Sequence, residues 1–114
     1  MSERSADPRS RLADCPSSPN CVSSLASDAA RRVAPLRYVG ALEDARRRLE
    51  AVLTQLPRTR FVESSPTYWH LECRSLVFRF VDDLEFAFDP DATEIHVRSA
   101  SRVGHSDLGV NRRP

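Results

Sequence analysis

Apolar residues recur at helical spacing over residues 41–56, where Leu42, Ala45, Leu49, Val52, Leu53 and Leu56 share one face. Glu43 and Asp44 occupy the first turn, where the helix dipole favours acids. Gly40 precedes the segment and Pro57 stops it, while Arg46, Arg47, Glu50 and Gln55 are expected to face solvent. Further along, the period drops to two. Residues 60–64 read as a short strand. Residues 68–74 place Trp69, Leu71 and Cys73 on one face and Tyr68, His70, Glu72 and Arg74 on the other. Residues 77–88 align Phe78, Phe80, Leu84, Phe86 and Phe88, with Asp82 interrupting the row. Residues 94–102 set Ile95 and Val97 against His96 and Arg98. Aromatic and β-branched residues at alternating positions support all three longer strands.

Parity then predicts register, because a slip of one residue would turn the apolar row outward. The loop at residues 90–93 pairs Phe88 with Ile95, Phe86 with Val97 and Leu84 with Ser99, and puts Glu85 opposite Arg98 on the outer face. A tight turn at Ser75-Leu76 would pair Leu71 with Phe80 and Trp69 with Asp82, although neither turn residue favours a positive φ. Asp82 is thereby expected on the core face, between Trp69 and Ser101. A carboxylate there is costly without a partner. The nearest supply of partners is the stretch that follows Arg102.

Residues 1–36 lack periodicity and are rich in Ser, Pro, Asp and Arg. The first part, 1–13, is expected to be disordered. From Cys15 to Leu36 an ordered, extended arm is expected, starting in a turn-rich segment with two prolines. The fold class that follows is α+β: an extended N-terminal arm and one long amphipathic helix on an antiparallel meander of three to four strands. Residues 14–114 form its single domain.

Composition narrows the function. A net charge of +1 supplies no field to attract nucleic acid or an anionic membrane. All 17 basic residues are arginine, so chemistry that needs a lysine amine is excluded. No stretch is long and apolar enough to span a membrane. Met1 to Asp14 has charges but no apolar centre, which predicts a cytoplasmic protein. Three cysteines, an odd count, argue against a disulfide framework in that compartment. No phosphate-cradling glycine motif, dinucleotide fingerprint or aromatic-basic stripe occurs, so neither a cofactor nor a nucleic-acid partner is expected.

Residues 98–113 crowd small hydroxyl residues, arginines and two glycines straight after a strand. Asp82 could simply pin this loop by accepting its hydrogen bonds. Alternatively, Asp82 forms one wall of a pocket for a small anionic ligand or protein partner. In that pocket Arg98, Ser99, Ser101, Arg102, Asp107 and Asn111 contribute polar groups and Gly104, with Gly109, allows close backbone approach. Arg98 would first have to leave its outer-face pair with Glu85.

A hydrolase reading would draw on Asp82, His105 and Asp107. Adjacent loop residues such as His105-Ser106-Asp107 rarely line up as a triad, however, and a helix cap is the simpler role. His70, His96, Asp83 and Glu85 share the outer face and could reach a metal, but mixed charge on a solvated face is ordinary, and no metal is assigned. Cys15 and Cys21 fit neither a redox Cys-x-x-C nor a zinc knuckle, and are read as structural thiols tying down the arm, with a disulfide as the alternative in an oxidising compartment.

Three ordered motifs carry a resemblance. They are Cys-Pro-Ser-Ser-Pro-Asn-Cys-Val-Ser-Ser (15–24), Phe-Arg-Phe-Val-Asp-Asp-Leu-Glu-Phe (78–86) and the run from Arg98 to Arg113. Together they closely resemble the family known as domain of unknown function 1499. The resemblance implies a bacterial or plastid-type protein with no assigned activity and no catalytic residues to carry over. It also implies that relatives are often exported or membrane-anchored, with paired cysteines open to oxidation. In relatives the Asn-Arg-Arg segment starts a final helix, whereas this chain stops at Pro114. A single helix of about 16 residues, about 24 Å long, would leave apolar rows of the sheet open. Either the 15–36 arm or a second copy in a homodimer is expected to cover them. The leading functional expectation is a non-catalytic module that binds a small anionic ligand or partner through 98–113. The hydrolase and a purely structural or assembly module are the alternatives.

Overall fold

The structure is a computed structural model, and it describes residues 8–16, 20–74 and 81–102. Among these residues six strands form one antiparallel sheet: β1 (Cys21–Ser23), β2 (Leu36–Arg37), β3 (Thr59–Ser64), β4 (Tyr68–Arg74), β5 (Val81–Asp89) and β6 (Glu94–Ser101). Their order is β1-β6-β5-β4-β3, and β2 pairs with the same side of β6 as β1 does, further along. The one α-helix among the described residues, α1 (Leu42–Leu53), has 12 residues. This corrects the expected α+β arrangement. The described residues are mostly antiparallel sheet with one short helix, where the expectation is a long helix on a three- to four-stranded meander.

Two physical causes account for the difference. Pro57 disrupts helical propagation before it arrives, and residues 54–56 close in tight turns, with Gln55 N–H donating to Val52 O and Leu56 N–H to Leu53 O. The helix therefore spans only about 18 Å. Meanwhile the free edge of β6 needs backbone partners. Parts of the extended arm supply them: Val22 pairs with Ser99, and Leu36 with Ile95. Segments of two or three residues are too short to show alternation, so they were not legible as strands.

The core lies between α1 and one sheet face. Leu53, Trp69, Leu71, Phe86, Phe88 and Ile95 are buried there, with Tyr38, Leu42, Leu49, Phe61, Leu84 and Val97 packed around them. Trp69 meets Phe61 and Phe88 edge-on, with ring centroids 5.3 and 4.8 Å away. Val52 sits at the rim of the helical stripe and Leu56 beyond its end, and both are exposed rather than buried.

The β5–β6 register is the one parity predicts, from Phe88–Ile95 through Glu85–Arg98 to Asp82–Ser101. The β4–β5 register differs. Leu71 pairs with Leu84, Trp69 with Phe86, and Cys73 with Asp82. The offset of four residues rules out a two-residue turn, in keeping with the poor turn chemistry of Ser75 and Leu76. Residues 75–80, including Phe78 and Phe80, lie outside the described residues.

The arm covers part of the opposite, outer face. Residues expected to be disordered are built in from Pro8, where Pro8–Arg11 forms a 3-10 turn. Leu12 packs with Tyr68 and Ala87, flanked by Leu25. Arg11 lies 3.9 Å over the Tyr68 ring and donates to Glu63 at 3.0 Å. Cys15 and Cys21 form a disulfide, replacing the expected pair of thiols and fastening the arm to the start of β1. Cys73 is a free thiol. Among the described residues no helix is long and apolar enough to cross a membrane.

Candidate binding site at the open end of the sheet

Strand alternation separates the residues expected to form one pocket. Asp82, Ser99 and Ser101 fall on the face that carries Leu84, Phe86 and Val97, whereas Arg98 and Arg102 fall on the outer face with Asp83 and Glu85. Gly104, His105, Asp107 and Asn111 lie outside the described residues.

On the inner face, the register lines up one transverse row. Thr59 neighbours Cys73, Cys73 neighbours Asp82, and Asp82 neighbours Ser101, across four strands about 4.8 Å apart. Thr59 Oγ1 donates to Cys73 Sγ at 3.2 Å. All four residues are half-buried, and none belongs to the apolar cluster under α1. The next row inward is Phe61, Leu71, Leu84, Ser99 and Val22, where the face turns apolar. The Asp82 carboxylate thus sits between a thiol and a hydroxyl, with no ion pair to another described residue.

On the outer face, a different pair of acids holds the chain where it leaves β6. Arg102 Nε donates to Asp83 Oδ2 at 2.8 Å, and Nη2 donates to Asp83 Oδ1 at 2.8 Å and Glu72 Oε2 at 2.7 Å. Hydrogen bonds from this guanidinium hold both carboxyls below the usual carboxylate range, and Arg102 is raised in turn. His70 Nε2 lies 2.8 Å from Asp83 Oδ1, and Arg60 donates to Glu72 Oε1 at 3.1 Å. Among the described residues the chain leaving β6 is fastened by Asp83 and Glu72, on the outer face, whereas the stretch that Asp82 is expected to pin lies outside the described residues. Arg102 acts as the pin. The signal was present in the sequence as Arg60, Glu72, Asp83 and Arg102 on one parity, but reading it needed the correct β4–β5 offset.

The rest of the outer face is similarly engaged. Arg98 Nη1 donates to Glu85 Oε2 at 3.1 Å, as its register predicts, and the Tyr68 hydroxyl donates to Glu85 Oε1 at 2.6 Å. Burial, then this bond, pushes the Tyr68 phenol well above its ordinary range. Ser24 Oγ accepts from Val97 N–H at 3.0 Å and lies 3.0 Å from His96 Nδ1, tying the arm to β6. His96 Nε2 approaches Glu94 Oε1 at 3.5 Å without forming a hydrogen bond. Asp83 is thus engaged by Arg102 and His70, Glu85 by Arg98 and Tyr68, and His96 by Ser24. Among the described residues no group of three or more His, Cys, Asp or Glu side chains is placed to hold a metal.

Residues 11–114 match the family described as "Protein of unknown function (DUF1499)", and the chain belongs to that family. No curated protein and no solved structure matches it.

Proposed function

We propose that this chain is a non-catalytic binding module. Its small ligand or protein partner meets the open end of the sheet, on the inner-face row Thr59–Cys73–Asp82–Ser101, beside the point where residues 98–113 begin. The observation that carries this reading is the Asp82 carboxylate, half-buried among small polar groups and without a described counter-ion. A half-buried carboxylate that no described cation compensates costs stability, which supports reading it as a residue kept for a ligand. Ser99 and Ser101 extend the polar surface. Arg98 and Arg102 support it from the other face by pinning β6.

A carboxylate at the centre favours a ligand group that donates hydrogen bonds, such as an amine, a guanidinium or backbone N–H groups. An anionic group suits the inner face poorly. The hydrolase reading gains nothing from the described residues, since the strand neighbours of Asp82 are Cys73 and Ser101. The Cys15–Cys21 disulfide supports an oxidising compartment over the cytoplasmic one.

The test is an NMR amide-shift screen of the labelled chain with small amines, guanidines and short basic peptides, run in parallel on Asp82→Asn. The reading requires shifts clustered at Cys73, Asp82 and Ser101 that vanish in the variant. Equal responses in both proteins, or shifts confined to the outer face, would remove it.

A further inference from the structure

We infer that the groove between Arg58, Arg60 and Arg74, at the β3–β4 end of the sheet, binds a phosphoryl dianion carried by a small molecule. The groove has a volume of about 250 Å3 and is lined by Arg58, Thr59, Arg60, Glu72 and Arg74. This inference does not rest on the inner-face reading.

Two local features there oppose folding. Arg58 has a φ of 54°, in the left-handed region that glycine or asparagine fills at lower cost. It also lies opposite another arginine. Arg74 N–H donates to Arg58 O at 2.9 Å, one step beyond the Thr59–Cys73 pair, so backbone pairing holds two like charges across adjacent strands. Directly opposed like charges destabilise a sheet. Glycine at position 58 and a neutral residue at 74 would fold better. The arrangement makes sense if the repulsion is relieved by something that binds.

Charge and geometry indicate what that is. Arg60 reaches one carboxylate, Glu72 at 3.1 Å, and Glu72 is already held by Arg102 at 2.7 Å. No acidic described residue pairs with Arg58 or Arg74. Two uncompensated guanidinium groups call for a charge near −2. Each fork binds two oxygens of one phosphoryl group, which a single monocarboxylate cannot supply to both. The groove is smaller than the roughly 300–1,000 Å3 of a drug-sized pocket, so a phosphate or diphosphate fits and a whole nucleotide does not.

The experiment titrates inorganic pyrophosphate, orthophosphate and acetate into the full chain at constant ionic strength, following both melting temperature and backbone amide shifts. Pyrophosphate and orthophosphate are expected to raise the melting temperature and to shift the amides of residues 58–60 and 72–74, while acetate does neither. Arg74→Gln is expected to weaken phosphate binding at least roughly tenfold, the loss typical of one charged hydrogen-bond pair. Arg58→Gly should melt higher than the parent without ligand and respond less to phosphate. The inference is overturned if acetate at equal ionic strength gives the same response, if Arg74→Gln binds as tightly as the parent, or if the shifts fall elsewhere.

Discussion

Replacing Arg102 by alanine tests whether the outer-face clamp holds the end of β6. The side chain makes three charge-assisted hydrogen bonds of 2.7–2.8 Å, two of them a bidentate pair with Asp83. It is nonetheless 47% exposed, so solvent screens it strongly. Exposed pairs contribute roughly 0.2–1 kcal/mol, and bidentate geometry places the Asp83 pair near the top, at about 1 kcal/mol. Urea unfolding of the parent, Arg102→Ala, Asp83→Asn and the double variant isolates that coupling.

The same clamp sets a pH dependence. Asp83 and Glu72 are held below their ordinary values by Arg102, so their contribution is complete above about pH 5, the upper edge of carboxylate titration in an unfolded chain. It fades as pH falls through the lowered folded-state values. Arg102→Ala should therefore lose stability relative to the parent at pH 7 and converge with it in strong acid. A coupling near zero at pH 7, or a parent–variant gap unchanged at the acid end, would refute the clamp.

Three further outcomes follow from the packing. Phe88 has no solvent exposure and contacts Trp69 edge-on, so Phe88→Ala should cost about 3–5 kcal/mol in urea unfolding; a loss under 1 kcal/mol would contradict the assigned core. Reducing Cys15–Cys21, which closes a short loop, should lower stability by about 2 kcal/mol in thermal melts with and without reductant, and Cys15→Ser should abolish the difference. Ser24→Ala removes the hydroxyl that receives Val97 N–H and meets His96, and should cost about 1–2 kcal/mol and speed amide exchange at Val97.

What could be read from the residues divides by range. The β5–β6 pairing was legible because a short loop and strict parity leave one register that keeps Phe86, Phe88 and Ile95 together. The inward direction of Asp82 followed from the same parity. The β4–β5 offset was not legible, because nothing local in residues 75–80 states how long the connection is. That offset decides whether Asp82 faces Trp69 or Cys73, and whether Arg102 can reach Glu72 and Asp83 together. The arm's strands were hidden for another reason. Residues 21–23 and 36–37 are strands because β6 offers an edge, a tertiary cause that two or three residues cannot announce. The pairing of Cys15 with Cys21 is one of two alternatives the sequence leaves open, because compartment rather than spacing decides between thiols and disulfide, and the structure has the disulfide.

The most direct test of the account is the unfolding free energy of Asp82→Asn at neutral pH. A carboxylate kept for a ligand and unused by the fold predicts that the variant is as stable as the parent, or more stable by up to about 1 kcal/mol. A variant less stable by more than about 1 kcal/mol would show that Asp82 holds the structure together, and the binding role assigned to that row would fall.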